Sequence, residues 1–262
     1  MRMIRPVIPF VLVCSCFSPV RAQTTTSTPQ ALPILQKAYA AMAGTTAVND
    51  VTLTGTAQRI AGSDDETGTV TYKAVAGSSR LDLNLSKGTR SEIWGVGANG
   101  PGGNWIGPDG VVHEISSHNL LTDPGWFQIF TLSNLISSTS AVLTNVGNET
   151  KNGVSVIHIT SSKPNANAPA QAALLWQHLS QMEIYLDAST LLPVALDFNT
   201  HPDNNALLDI PVEFRFSDYR AVGSLNIPFH IQQSLNGSLF VDVQFQQASI
   251  NSGLSSSTFA IQ

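Results

Sequence analysis

From residue 51 onward the chain alternates apolar and polar side chains with a period of two, and that rhythm confines it to strands with one dry and one wet face. Val51 and Leu53 alternate with threonines, Val70, Tyr72 and Ala74 with Thr71 and Lys73, and Leu81, Leu83 and Leu85 with Asp82, Asn84 and Ser86. The second half repeats the pattern through Val212, Phe214 and Phe216, Ile227, Phe229 and Ile231, and Val241, Val243 and Phe245. Asn152-Gly153 and Asn236-Gly237 each fall between two such runs and predict tight hairpins. Asp109-Gly110 after Pro108 predicts another turn. The pattern is that of an antiparallel meander, clearest from Met182 to the end.

Three stretches break the rhythm. Gln30 to Ala43 carries Leu32, Leu35, Tyr39 and Met42 at helical spacing, and Gly44 follows at the C-cap position. Residues 124–136 and 166–179 are rich in large apolar groups and predict two short helices. No period of 20 to 50 residues recurs, which excludes a solenoid or propeller reading. Residues 30–262 are expected to form one domain.

The N-terminus has the layout of a secretory signal peptide: Arg2 and Arg5, an apolar run to about Val13, and Val20-Arg21-Ala22 before a polar leader. Cleavage after Ala22 is expected, with 23–29 flexible, and no later segment approaches the roughly 20 apolar residues of a membrane span. A second reading takes Val13-Cys14-Ser15-Cys16 as a weak lipobox with Cys16 lipidated, although Pro6 and Pro9 disfavour it. Cleavage after Ala22 removes both cysteines, so no disulfide or thiolate chemistry is expected of the mature chain. The formal net charge of −5 becomes more negative once Arg2, Arg5 and Arg21 leave. A chain with no basic stripe is a poor partner for nucleic acid.

Catalytic look-alikes fail on geometry. His113 to His118 reads HEISSH, one residue too long for the H-E-x-x-H zinc signature. At about 100° per residue its histidines would stand roughly 140° apart on a helix. The segment also follows a Pro-Asp-Gly turn and alternates as a strand, which puts His113 and Glu114 on opposite faces. Gly95 to Gly100 fits G-x-G-x-x-G, but Pro101-Gly102-Gly103 follows where the phosphate-binding helix would have to begin. That motif therefore predicts a glycine-rich hairpin. No G-x-S-x-G elbow is present. His158, His178, His201 and His230 lack partner spacing and are expected to be structural, and Asp64-Asp65-Glu66 is expected to be a solvated loop. No catalytic residue, metal ligand or cofactor is expected, and the chain is not expected to be an enzyme.

The concentrated apolar residues offer a different site. Trp126, Phe127, Phe130, Leu132 and Leu135 cluster on one predicted helix and Leu174, Leu175 and Trp176 on the other. They can cap the open face of a curved sheet, or wall an apolar pocket beneath it, or both.

The order of these features resembles the LolA/LolB superfamily of periplasmic lipoprotein carriers and receptors. The exported helix QALPILQKAYAAMAG is followed by strands and a C-terminal signature. Asp187-Ala-Ser-Thr-Leu-Leu-Pro193 is similar to D-x-x-T-x-L-P, Tyr219 to Pro228 to Y-x-x-x-G-x-x-x-I-P, and Ala248 to Ile261 to the closing I-N-x-x-L…F-x-I run. The resemblance is clear over 183–262, extends to 30–95, and is vague across 96–182. It implies a mainly β, curved and unclosed antiparallel barrel whose concave face is plugged by the N-terminal and short helices. It implies a periplasmic protein holding an acyl chain of a lipid or lipoprotein, with Trp126, Phe127, Phe130, Leu135, Leu175 and Trp176 as candidate contacts. The alternative on the same fold is a scaffold or envelope-stress sensor with a protein partner.

Overall fold

The computed structural model describes residues 26–97, 100–165 and 167–261, so the expected signal peptide and Cys16 lie outside the described residues. Helix α1 (Ala31–Ala43) leads into six strands: β1 (Asp50–Ala61), β2 (Asp64–Val75), β3 (Ser78–Leu85), β4 (Gly88–Gly97), β5 (Gly100–Ile106) and β6 (Val112–Glu114). A 3₁₀ turn (Ser117–Leu121) and α2 (Gln128–Ser137) follow. Then come β7 (Val142–Lys151), β8 (Val154–Ser162), α3 (Ala170–Leu179), β9 (Met182–Asp187) and β10 (Pro193–Thr200). The chain ends with β11 (Ile210–Val222), β12 (Leu225–Leu235), β13 (Ser238–Ile250) and a second 3₁₀ turn (Ser256–Phe259).

All thirteen strands join one antiparallel sheet in the order β6-β5-β4-β3-β2-β1-β13-β12-β11-β10-β9-β8-β7. Among the described residues, the only pairing that is not between chain neighbours is β1 with β13, which seals the two halves of the meander together. The sheet stays unclosed because β6 and β7 are its free edges. Residues 115–141 join those two edges and carry α2, so the helix has to cross the open side of the sheet. There it meets α1, which also touches β12 in mid-sheet and β7 at the edge. One continuous apolar cluster runs from Val51, Tyr72 and Leu83 through α1 and α2 to Phe214, Ile231 and Phe245. A single face can enclose two helices in this way only if the sheet is curved.

The alternating residues behave as their period demands. Leu81, Leu83 and Leu85 are buried while Asn84 is exposed, and Val241, Val243 and Phe245 are buried in β13. Asn152-Gly153 and Asn236-Gly237 are two-residue hairpin turns with positive φ at both positions (53° and 81°, 49° and 76°), which asparagine and glycine tolerate best. The Gly95–Gly100 motif lies at a hairpin, with Gly97 paired to Gly100. At Gly55 the β1–β13 register shifts, and a Cβ there would lie 2.1 Å from the Gln244 carbonyl oxygen. This bulge lets the seam bend where the two halves meet.

The C-terminal motifs resolve into clasps. Asp187 Oδ1 accepts from the Ser189 and Thr190 amides (2.9 and 2.8 Å), folding the turn into β10. Tyr219 donates its hydroxyl to the Pro193 carbonyl (2.8 Å). Asn251 accepts from the Asn49 amide (2.7 Å) and donates to Ala47 O (2.9 Å), while Asp50 accepts from the Ser252 and Gly253 amides (2.7 and 2.8 Å). These bonds staple the start of β1 to the end of β13.

Local expectations shift in several places. The buried residues of α1 are Ala31, Leu35, Ala38, Met42 and Ala43, with Leu32 turned outward. Helix α2 starts at Gln128 and not 124, because Gly125 takes φ +79° and Phe127 is extended. Helix α3 starts at Ala170, directly after Pro169, since a residue before proline is held out of helical geometry. Within the 23–29 leader expected to be flexible, the Thr28 amide donates to Leu143 O (2.8 Å). The Leu143 and Asn145 amides donate to Ser27 Oγ and Thr28 Oγ1 (2.9 and 2.7 Å), which covers part of the β7 edge. Asp64-Asp65-Glu66 is not a solvated loop. It begins β2, and the Glu66 side chain is fully buried.

Candidate functional site

The helix-covered face leaves internal space beside Trp126. Leu81 and Leu83 from β3, Phe240 and Val241 from β13, and Trp126 itself line a cavity of about 440 Å³. A second cavity of about 320 Å³ shares Glu92, Trp105, Gln233 and Phe240 with it and reaches Phe198 and Val212. Each lies within the roughly 300–1,000 Å³ typical of small-molecule sites. The indole of Trp126 meets Phe214 edge to face at 4.9 Å, and its Nε1 is buried with no hydrogen-bond partner among the described residues. Gly125 makes this placement possible: a Cβ there would sit 2.8 Å from the Phe214 ring.

One wall of the larger cavity is charged. Arg59 and Arg90 both line it, and each grips one oxygen of Glu66, at 3.2 and 2.8 Å. Arg59 also lies over the Phe240 ring at 5.1 Å. Two guanidinium groups thus share one carboxylate beside apolar space, with Glu92 on the same lining. Glu92 faces both cavities, and burial raises its carboxyl above the ordinary range although Trp94 Nε1 donates to it at 2.7 Å. Desolvation outweighs that bond because the half-buried Glu92 is held away from part of the bulk water. The Arg59–Glu66 pair has a sequence signal: both residues are equidistant from the turn at Gly62-Ser63, so a hairpin there sets them opposite each other.

The predicted contacts divide. Trp126 is in the wall of the main cavity. Phe127 and Phe130 are buried beside a separate pocket of about 160 Å³, with Tyr72 and Asp123. Leu135, on α2, is buried in the core cluster. Leu175 is half-buried on α3, and Trp176 is 39% exposed over a shallow groove with Leu121 and Lys163. Helix α3 is thus no lid over the main cavity. It is inserted between β8 and β9 and buries only Gln177 and Leu179.

The histidines divide as well. His113 is in β6 and stacks on Trp105 at 3.9 Å between ring centres, so the HEISSH segment is a strand followed by a 3₁₀ turn. His158 pairs with Glu183 (2.5 Å), and His230 with Asp242 and Ser217 (2.9 and 3.0 Å). The structure brings three of the others together, although their sequence positions show no partner spacing. His178 and His201 share Asp209, and His118 meets His201 edge to face at 5.9 Å. Residues this far apart in sequence leave no spacing to read.

No family model matches the sequence, and no curated protein matches it by sequence. Solved structures match its shape. A domain described as that of an outer membrane lipoprotein-sorting protein from Vibrio parahaemolyticus is 14% identical, with 88% of this chain and 96% of that one covered at a TM-score of 0.55. A DUF1329 family protein from Desulfovibrio piger is 11% identical, with 90% and 98% covered at 0.57. A LolA superfamily protein from Nitrosomonas europaea is 11% identical, with 88% and 97% covered at 0.52. With an unclosed antiparallel sheet folded round α1 and α2, and these three structures matching nearly its whole described length, the chain has the LolA/LolB-like fold.

Proposed function

We propose that the protein is exported to the bacterial envelope and holds an acyl chain of a lipid or lipoprotein, acting by binding and not by catalysis. The observation that carries this reading is the cavity of about 440 Å³ walled by Leu81, Leu83, Trp126, Phe240 and Val241. An acyl chain entering such space gains roughly 0.8 kcal/mol for each CH₂ removed from water, without needing charge contacts. The guanidinium groups of Arg59 and Arg90 suit an anionic headgroup, and the unpartnered Trp126 Nε1 can donate to an ester carbonyl. The fold shared with a lipoprotein-sorting domain supports the same reading. Native mass spectrometry of protein taken from a periplasmic fraction tests it: lipid adducts are expected, and a protein free of lipid in every preparation would refute it.

A protein-binding role is the second reading, and a separate observation favours it. Leu174 and Trp176 on α3 and Leu207 and Leu208 on the β10–β11 loop are exposed (57, 39, 79 and 53%), and His178 joins the two segments through Asp209. A partner that stays bound after delipidation would support this role.

A further inference from the structure

Three chain segments that are distant in sequence bring imidazoles to one place. His178 is in the last turn of α3, His201 and Asp209 bracket the β10–β11 loop, and His118 is on the 3₁₀ turn after β6. One carboxylate oxygen, Asp209 Oδ1, lies 2.9 Å from His178 Nε2 and 3.1 Å from His201 Nε2. The three possible ligand atoms all fall within 4.8 Å of one another.

We propose that His178, His201 and Asp209 bind a divalent transition-metal ion, Zn²⁺ by preference, with the remaining coordination position open to solvent. Two imidazoles and a carboxylate with an open position are a donor set suited to zinc. Bonds of about 2.0–2.2 Å in tetrahedral geometry place ligand atoms roughly 3.3 Å apart. The two distances to Asp209 are within a few tenths of an ångström of that value, and the two imidazoles, with ligand atoms within 4.8 Å of each other, have to close toward it for one ion to hold all three. His178 and Asp209 are partly exposed, which provides an entry path.

A fully satisfied structural histidine looks different. His230 has a partner on each ring nitrogen, Ser217 Oγ at Nδ1 and Asp242 at Nε2. In the cluster, one oxygen serves two imidazoles, while His118 Nε2 and His201 Nδ1 are buried without a hydrogen-bond partner among the described residues. A cation bound at the two Nε2 atoms would replace the protons that both rings now share with the one Asp209 oxygen. His201 is almost fully buried, so its ring is held in place by packing. Its backbone is fixed as well: Asn119 donates to His201 O (2.8 Å) and accepts from His201 N (2.9 Å), and Ser116 donates to Asp203 (2.7 Å). These clamps order the site before an ion arrives, which lowers the cost of binding it.

Tag-free, EDTA-stripped mature protein titrated with ZnCl₂ by calorimetry, and with Co²⁺ by visible absorption, tests the proposal. One saturable equivalent is expected, with Co²⁺ bands of a low-symmetry nitrogen–oxygen site. His178→Gln and Asp209→Asn alter exposed groups, so folding, checked by circular dichroism, should survive. Each should weaken binding at least about tenfold, while His230→Gln should leave it unchanged. Absence of saturable binding, or equal affinity in the His178→Gln/Asp209→Asn double variant, would overturn the assignment. The test is independent of whether lipid is bound.

Discussion

Arg90 reaches over β3 to place its Nη1 2.8 Å from Oε2 of Glu66, whose side chain is fully buried. Arg59 takes the other oxygen at 3.2 Å, so one buried carboxylate neutralises part of two mostly buried guanidiniums beside the main cavity. Removing the shared partner strands both. Glu66→Ala is expected to cost about 3–5 kcal/mol, the usual penalty for breaking a buried pair. Urea unfolding measures this; a loss below 1 kcal/mol would mean that water reaches the guanidiniums in place of the carboxylate.

Filling the cavity should separate it from the exposed helix. Leu83→Trp adds bulk beside Trp126 and is expected to abolish lipid adducts in native mass spectra while the secondary structure persists. Trp176→Asp, on exposed α3, should leave any adduct unchanged. If Trp176→Asp removes the lipid and Leu83→Trp keeps it, the acyl chain binds on α3 and not in the cavity.

Glu92 should make stability depend on pH in a defined direction. Burial raises its pKa from the ordinary 4.5, so the folded state holds this proton more tightly than the unfolded chain. Ionisation therefore costs no stability well below pH 4.5, and the cost grows as pH rises from there toward the folded value. Glu92→Gln keeps an acceptor for Trp94 and carries no charge. Its melting temperature relative to wild type should be higher at pH 8 than at pH 4, and a difference independent of pH would contradict the assignment.

Asp50 works with the opposite sign. Burial opposes its charge, but the Gly253 and Ser252 amides and the Ser252 hydroxyl hold its pKa below the ordinary 3.8. Its contribution is present above pH 3.8 and is lost as pH falls through the lower folded value. Asp50→Asn should cost about 1.5–3 kcal/mol at pH 7, in the range of hydrogen bonds to a charged group. In denaturant titrations this cost should shrink toward pH 2.

Gly125 allows a backbone turn next to the site that a residue with a side chain would strain. Its φ of +79° and its contact with the Phe214 ring leave no room for a methyl group. Gly125→Ala should destabilise the fold by at least about 1 kcal/mol and shift Trp126 fluorescence, whereas Gly153→Ala, at a turn with open space, should leave that emission unchanged.

The legible parts of this protein were local. Alternation in β3 and β13 fixed which side chains face inward, because a strand turns its residues over every two positions and only one face can be dry. Asn152-Gly153 and Asn236-Gly237 fixed two hairpins, because few residues tolerate the positive φ that such turns need. The failure of HEISSH as a zinc motif was legible too, since the spacing that excludes it is a property of the helix itself. Among the candidate contacts, the burial of Trp126 followed from its apolar surroundings. Trp176 did not behave alike, because an apolar helix does not reveal whether it covers a cavity or projects from a hairpin.

The remainder depended on which distant segments the sheet brings together. Pairing of β1 with β13 joins Asp50 to Ser252, and the curvature of the sheet closes space between Leu83, Phe240 and Trp126. The same wrapping brings His118, His178, His201 and Asp209 together from three segments with no common period. Backbone periodicity records what each residue does relative to its neighbours in the chain. It carries no register between strands two hundred residues apart, and that register, set by the closed packing of the whole sheet on its helices, decided where the cavity and the histidines lie.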